Sequence, residues 1–365
     1  MASNIFLRNK VLLRRHLKTF CISKTINATS RILNQNLSIQ AYSNPRAEPE
    51  NFDTLGTWDN RIDLPLLLQA SIKHGKPIPK ISIENVGTAS VIGRRTTNED
   101  RYRVKELKPE LLYIAVYDGH GGPECADFCS EHMEDNILYW LARGEKDLQT
   151  ILQFSFQEVN NAYARHIIFN CSRKEATTSG TTATVCLLRN SVELVVGHAG
   201  DSRALLCRNG DTKRLTTDHT ADLKSEKERI LKSGGMINTD NLGRHLVNGR
   251  LAMTRSLGDL DLKPYGVTAQ PDTRSLEIKH GRDAFLILTT DGVNFAMSDQ
   301  EICDAVNTCH DPAEGAGFVT DQALQFGSED NATAVIVPFG AWGKYQNHKK
   351  IALNFGRSLL RSSRY

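Results

Sequence analysis

The sequence predicts an α+β fold, a sandwich of two antiparallel sheets flanked by helices. Two observations predict it. Short apolar runs at 81–90, 111–117, 182–188, 192–198, 204–208, 285–290 and 333–339 alternate with turns and are too brief for core helices. Amphipathic helical stretches arrive in pairs between blocks of these strands, whereas a parallel sheet needs a single crossover helix between one strand and the next. With 365 residues, 40% of them hydrophobic, the chain can bury a core large enough for such layers.

In chain order, residues 1–42 read as a mitochondrial transit peptide. They are rich in Arg, Ser, Asn and Thr and place Ile5, Phe6, Leu12, Leu13, Leu17 and Phe20 among basic residues. A secretory signal would need an uninterrupted apolar core, which is missing; a plain basic arm is the competing reading. Residues 43–80 carry Pro45, Pro49, Pro65, Pro77 and Pro79 with little periodicity and are expected to form a linker and extended arm, so the folded domain spans 81–340. The strand at 111–117 runs into the turn Asp118-Gly119-His120-Gly121-Gly122. Two helices follow, one with Cys125, Phe128, Cys129, Met133, Ile137 and Leu141 on a face, the next with Leu148, Ile151, Leu152, Val159 and Tyr163. Residues 218–248, with a charged run at 224–229 and the stop Gly234-Gly235, form either a flap beside a site or a solvated helix and loop. A third helix opens at Ser298 with Glu301 completing a capping box, and a fourth at Pro312 behind Asp311. A basic tail, 341–365, follows the last strand.

Charge narrows the function. Residues 1–47 hold eight Lys/Arg and no acid, which leaves 37 basic against 42 acidic residues, a net −5, for the remainder. A mildly acidic body argues against nucleic acid as the main partner, because phosphate binding needs a concentrated basic surface. No apolar stretch is long enough to span a bilayer. Eight cysteines without a Cys-x-x-Cys pair indicate neither a zinc site nor a redox dithiol.

Chemistry concentrates at strand ends. Asp118 follows the run 111–117, Asp201 follows 192–198, Asp291 follows 285–290, and Asp330 precedes 333–339. Neighbouring strands lie about 4.8 Å apart, so carboxylates on one sheet edge can share metal ions. Their mutual repulsion calls for a divalent cation, and all-oxygen ligation favours Mg²⁺ or Mn²⁺ over zinc or copper. Each is also an ordinary turn residue taken alone. Arg95, with Glu99 and Asp100 close behind, offers a fork suited to phosphate or else a surface ion pair. His120 could ligate metal, donate a proton or satisfy its turn.

The ordered set Arg95-x-x-x-Glu99-Asp100, Asp118-Gly119-His120-Gly121-Gly122, Ser179-Gly180-Thr181-Thr182-Ala183, Gly200-Asp201-Ser202-Arg203, Asp218-His219, Val247-Asn248-Gly249-Arg250-Leu251-Ala252-Met253-Thr254-Arg255-Ser256-Leu257-Gly258-Asp259, Asp291-Gly292 and Asp330-Asn331 resembles the metal-dependent serine/threonine phosphatases of the protein phosphatase 2C family. The resemblance spans residues 81–338, and it is the combination that is specific. It implies a protein phosphatase 2C-like α-β-β-α sandwich and two Mg²⁺ or Mn²⁺ ions per active site, activating water for in-line attack on phosphorus. By position, Asp118 would bridge the ions, the Gly119 carbonyl, Asp291 and Asp330 would complete the protein ligands, and Glu99 would bind through water. Arg95 would hold the substrate phosphate and His120 would protonate the departing seryl oxygen. Some members carry a further acid four residues after Asp291 for a third, weaker ion shared with the Asp201 position; here it is Phe295, so Asp201 would hold that ion poorly or through waters. The segments at 58–63, 75–82 and 338–345 narrow the resemblance to a mitochondrial branch of the family. That branch implies a matrix enzyme acting on the phosphorylated E1α subunit of the branched-chain 2-oxoacid dehydrogenase complex. The alternatives are a catalytically inactive scaffold or binding module, against which the presence of Asp118, Asp291 and Asp330 argues, and a nucleotide hydrolase, for which no phosphate loop is present.

Overall fold

The chain forms β1 (Gly87–Val91), β2 (Arg101–Lys108), β3 (Leu111–Tyr117), β4 (Gly119–His120), α1 (Glu124–Ala142) and α2 (Leu148–Asn170). It continues through β5 (Gly180–Thr181), β6 (Ala183–Arg189), β7 (Glu193–Ala199), β8 (Arg203–Arg208), β9 (Asp211–Arg214), α3 (Lys224–Lys232), β10 (Ile237–Thr239), β11 (His245–Val247) and β12 (Leu257–Gly258). It ends with β13 (Asp272–Glu277), β14 (Asp283–Thr289), α4 (Asp291–Asn294), α5 (Asp299–Asn307), α6 (Pro312–Gln325) and β15 (Ala332–Pro338). This computed structural model describes residues 78–170, 178–241 and 243–346. The expected transit peptide, most of the linker and most of the basic tail lie outside the described residues, all of which belong to one unit, Glu50–Tyr365.

Two five-stranded antiparallel sheets, ordered β1-β15-β14-β8-β9 and β13-β7-β6-β3-β2, build the sandwich. Alternation along β3 shows how. All seven of its residues are buried, because successive side chains leave on opposite faces and both faces are covered. Leu111, Tyr113, Ala115 and Tyr117 pack with Cys125, Met133 and Ile137 of α1 and Ile151 and Phe156 of α2. Leu112, Ile114 and Val116 meet Leu206, Leu286, Leu288, Val335 and Val337 of the other sheet. On the far side, Ile302 and Val306 of α5 and Val319 and Ala323 of α6 cover Phe285, Ile287, Ala334 and Ile336. The expected α-β-β-α layering is present.

The helix starts follow the sequence. Ser298 accepts from the Glu301 N–H and Glu301 reaches back to the Ser298 N–H, a complete capping box, and Asp311 accepts from the Glu314 N–H with Pro312 in the first turn. The strand expected at 81–90 is a correction: Ser82 caps a short 3-10 turn, Ile83–Asn85, and the strand itself begins only at Gly87. A side-chain hydroxyl that satisfies a nearby N–H offers the backbone an alternative to the ladder. Strands β2, β9 and β13, which have no apolar run, are all sheet edges. An edge has only one partner strand, and charged residues there protect it from pairing with another chain. The six described cysteines are free and buried. Among the described residues no helix is long and apolar enough to cross a membrane.

Candidate active site

Both sheets send carboxylates to one meeting point. Asp118 stands one residue past β3, Asp291 opens α4 beyond β14, Asp330 precedes β15, and Asp201 lies between β7 and β8. Since β14 and β15 are antiparallel neighbours, with Thr289 opposite Ala334, the exit of one adjoins the entry of the other. The Asp291 N–H donates to Asp118 Oδ2 at 3.2 Å, which joins the end of one sheet to the end of the other. Asn294, at the end of α4, donates from its amide to the Asp201 carbonyl at 3.4 Å.

The buried acids act on one another through their charges. Removal from water, then the charges of Asp291, Asp100 and Asp201, push the Asp118 carboxyl well above its ordinary range. Burial, then Asp201, Asp330 and Asp100, does the same to Asp291. Asp201 is raised to about 6 by burial and by Asp218, and its Oδ1 is buried without a hydrogen-bond partner. A set of hard oxygen donors that repel one another, one of them unpartnered, fits Mg²⁺ or Mn²⁺. Among the described residues, however, no three His, Cys, Asp or Glu side chains are already gathered closely enough to hold an ion. Asp330 is turned to Arg95, whose Nη2 donates to its Oδ2 at 2.6 Å, and Glu99 accepts from the Gly122 N–H at 3.3 Å. Gly119 and His120 form β4, paired with β5, and the His120 ring contacts Asp259.

Two residues that the sequence offers only as members of its ordered motifs, with no role of their own, hold the site in place. Asp100 is buried, accepts from the Thr290 hydroxyl at 2.9 Å and the Thr333 hydroxyl at 2.6 Å, and so ties the approach to β2 to β14 and β15 beside Asp291. Asn331 accepts from the Glu99 N–H at 2.8 Å and donates to the carbonyls of Ile92 at 2.8 Å and Thr97 at 3.0 Å, clamping the loop that carries Arg95 and Glu99. The motifs mark both residues, but the partners that give them these roles come from distant sequence. Asp100→Ala should leave the buried Thr290 hydroxyl without its acceptor and Thr333 with only Ser90 Oγ, 2.8 Å away, and cost about 1–3 kcal/mol, read as a lower urea midpoint; an unchanged midpoint would refute the tie.

A family model described as "Protein phosphatase 2C" matches residues 90–332. A Xenopus laevis protein named "Protein phosphatase 1K, mitochondrial" is 51% identical over 317 residues, covering 87% of this chain and 84% of that protein. The chain belongs to the protein phosphatase 2C family. It is accordingly a protein serine/threonine phosphatase. "Protein phosphatase 2C homolog 1" of Saccharomyces cerevisiae is 35% identical over 67% of this chain and 88% of its own length. Among solved structures, a Caenorhabditis elegans sex determining protein superposes with a TM-score of 0.63 at 25% identity, over 74% of this chain and 67% of its own. A serine-threonine phosphatase 2C from Toxoplasma gondii shares the fold with a TM-score of 0.63 at 22% identity, over 70% of this chain and 94% of its own.

In this protein phosphatase 2C the arginine of Gly200-Asp201-Ser202-Arg203 is committed to structure. Its fork takes both Asp218 oxygens and Asp299, and so pins the start of β8 to the start of α5. The polar stretch 218–248 contains α3 and the β10–β11 hairpin, anchored by a buried acid. Burial opposes the charge of Glu226, but hydrogen bonds from Arg229, Arg255 and Thr254 outweigh it and hold the carboxyl well below its ordinary range. Phe295 sits at the end of α4 with 56% of its surface exposed.

Proposed function

We propose that this phosphatase works in the mitochondrial matrix on phosphoserine and phosphothreonine, with the E1α subunit of the branched-chain 2-oxoacid dehydrogenase complex as its substrate. Its activity would thereby promote branched-chain amino acid catabolism. The observation that carries the chemistry is the convergence of Asp118 and Asp291, from opposite sheets, beside Asp201 and Asp330. The acid-free basic segment 1–47 and the 51% identity to a relative named mitochondrial support the compartment and the substrate.

Two Mg²⁺ or Mn²⁺ ions would be held by Asp118, the Gly119 carbonyl, Asp291 and Asp330, with Glu99 through water. Bound there, divalent ions supply Lewis-acid polarisation and lower the pKa of water towards about 7. With Phe295 in place of an acid, Asp201 would hold a third ion poorly or only through waters. The remaining work falls to side chains of this chain. Arg95, 61% exposed and now paired with Asp330, exchanges that partner for two phosphate oxygens. The exchange is cheap, because exposed ion pairs contribute only about 0.2–1 kcal/mol. His120 then delivers a proton to the seryl oxygen as it departs.

Incubation with the phosphorylated dehydrogenase complex tests the substrate. E1α phosphate should fall with time in the presence of Mn²⁺ and stay constant in EDTA. Stable E1α phosphate under conditions where a phosphoseryl peptide is hydrolysed would remove the substrate while leaving the enzyme class intact.

A further inference from the structure

His120 and Asp259 are 139 residues apart in sequence and meet through a ribbon of three two-residue strands, β12-β5-β4. In that ribbon Gly180 is opposite His120 on one side and opposite Gly258 on the other. The His120 Nε2 lies 2.9 Å from Asp259 Oδ2 and 3.1 Å from Oδ1. The contact passes directly over Gly180: a Cβ there would fall 2.2 Å from Asp259 Oδ2 and 2.4 Å from His120 Nε2. Only glycine leaves room for it.

Asp259 is built in as a fixed group. It is 1% exposed, with its backbone in the left-handed region at φ 45°, a conformation that non-glycine residues adopt only where the surroundings enforce it. The Ser256 hydroxyl donates to its Oδ2, its own N–H donates to the Ser179 carbonyl at 3.0 Å, and the preceding Gly258 N–H donates to the Asn160 amide oxygen at 3.1 Å. Lys263 closes the loop by donating to the Ser256 carbonyl at 2.6 Å. With Nε2 engaged, His120 Nδ1 is the ring nitrogen that has no partner in the protein.

We propose that Asp259 is a positioning residue for the dephosphorylation step: its carboxylate holds the His120 ring through Nε2, leaving Nδ1 to serve the leaving oxygen. The inference rests on the proton-donor role proposed for His120. As the bond from phosphorus to the seryl oxygen breaks, its electron pair stays on that oxygen, which takes the proton from Nδ1. The attacking water supplies the oxygen retained by phosphate, and the proton that it loses passes through solvent to restore His120. Without Asp259 the ring is free to turn about its side-chain torsions, and a donor misplaced by about 1 Å loses much of its value.

The test separates proton donation from everything else the site does. A seryl oxygen needs a proton to leave, whereas p-nitrophenolate leaves without one. With Mn²⁺ present, Asp259→Asn should lower kcat on a phosphoseryl peptide by about 10- to 100-fold with little change in KM, and lower p-nitrophenyl phosphate hydrolysis far less. His120→Ala should show the same split, and the double variant should be no slower than His120→Ala alone, because a group that acts through another has nothing left to act on. If Asp259→Asn does not fold, Ser256→Ala keeps the carboxylate, removes one of its supports, and should give a smaller split in the same direction. Equal losses on both substrates, or additive losses in the double variant, overturn the positioning role. A split in His120→Ala with none in Asp259→Asn overturns it alone; no split in His120→Ala overturns the proton-donor reading and the inference with it.

Discussion

Asp291→Asn is expected to abolish Mn²⁺-dependent turnover of a phosphoseryl peptide and to leave the protein folded. Asp291 is among the most strongly perturbed acids of the site, pushed up by burial and by Asp201, Asp330 and Asp100. Replacing it with an isosteric amide relieves that repulsion, so the metal-free variant should be at least as stable as the parent. The same neutrality removes a charge on which cation binding depends. A binding readout therefore accompanies the kinetic one. A ligand at 100 times its dissociation constant stabilises by about 2.7 kcal/mol, and each kcal/mol moves the melting temperature of a domain this large by about 2–4 °C. The parent should thus gain roughly 5–10 °C in saturating Mn²⁺. The variant should lose most of that gain. Phosphate release and a thermal scan with and without Mn²⁺ decide the matter, and undiminished turnover, or the parent's full thermal shift, would remove Asp291 from the metal site.

The layers of this fold are legible because β3, β14 and β15 are buried on both faces and so read as unbroken apolar runs. Helix starts are legible for a local reason as well: Ser298 with Glu301, and Asp311 with Pro312, meet their partners within one turn. The strand-end carboxylates were legible as a set for the same reason as the strands they terminate. Edge strands were not, since β2, β9 and β13 carry Lys, Arg, Glu and Asp where the run should be. The two-residue strands β4, β5 and β12 are shorter than any period that can be counted. Positioning residues are hidden most deeply. Asp100 finds its hydroxyl partners at Thr290 and Thr333, and Asp259 finds His120, all through tertiary pairing that no window of sequence contains. Arg95 illustrates a different limit: its residue type announced an oxyanion partner, and the structure supplies one from within the chain, Asp330.

Gly292→Ala is expected to damage both stability and turnover, although it adds a single methyl group. Asp291-Gly292 reads as an ordinary turn pair, yet a Cβ at Gly292 would lie 1.9 Å from the Asn331 carbonyl oxygen and 2.9 Å from its carbon. Those are backbone atoms, so no rotamer change relieves the clash. Nor can Asn331 yield easily, because its side chain is held by Glu99, Ile92 and Thr97. The displacement must therefore fall on α4, and α4 begins with Asp291. Overpacking of this kind costs about 1–3 kcal/mol or more, and a shift of about 1 Å in a reacting group costs about 100-fold in rate. Gly317→Ala in α6 is the matched control: nothing lies within 4 Å of its Cβ position, and in a helix alanine replaces glycine with a gain of about 0.5–1 kcal/mol. Urea midpoints and kcat for the two variants should move in opposite directions for stability and diverge by about two orders of magnitude in rate. Parent-like values for Gly292→Ala would mean that the contact with Asn331 does not set the position of Asp291.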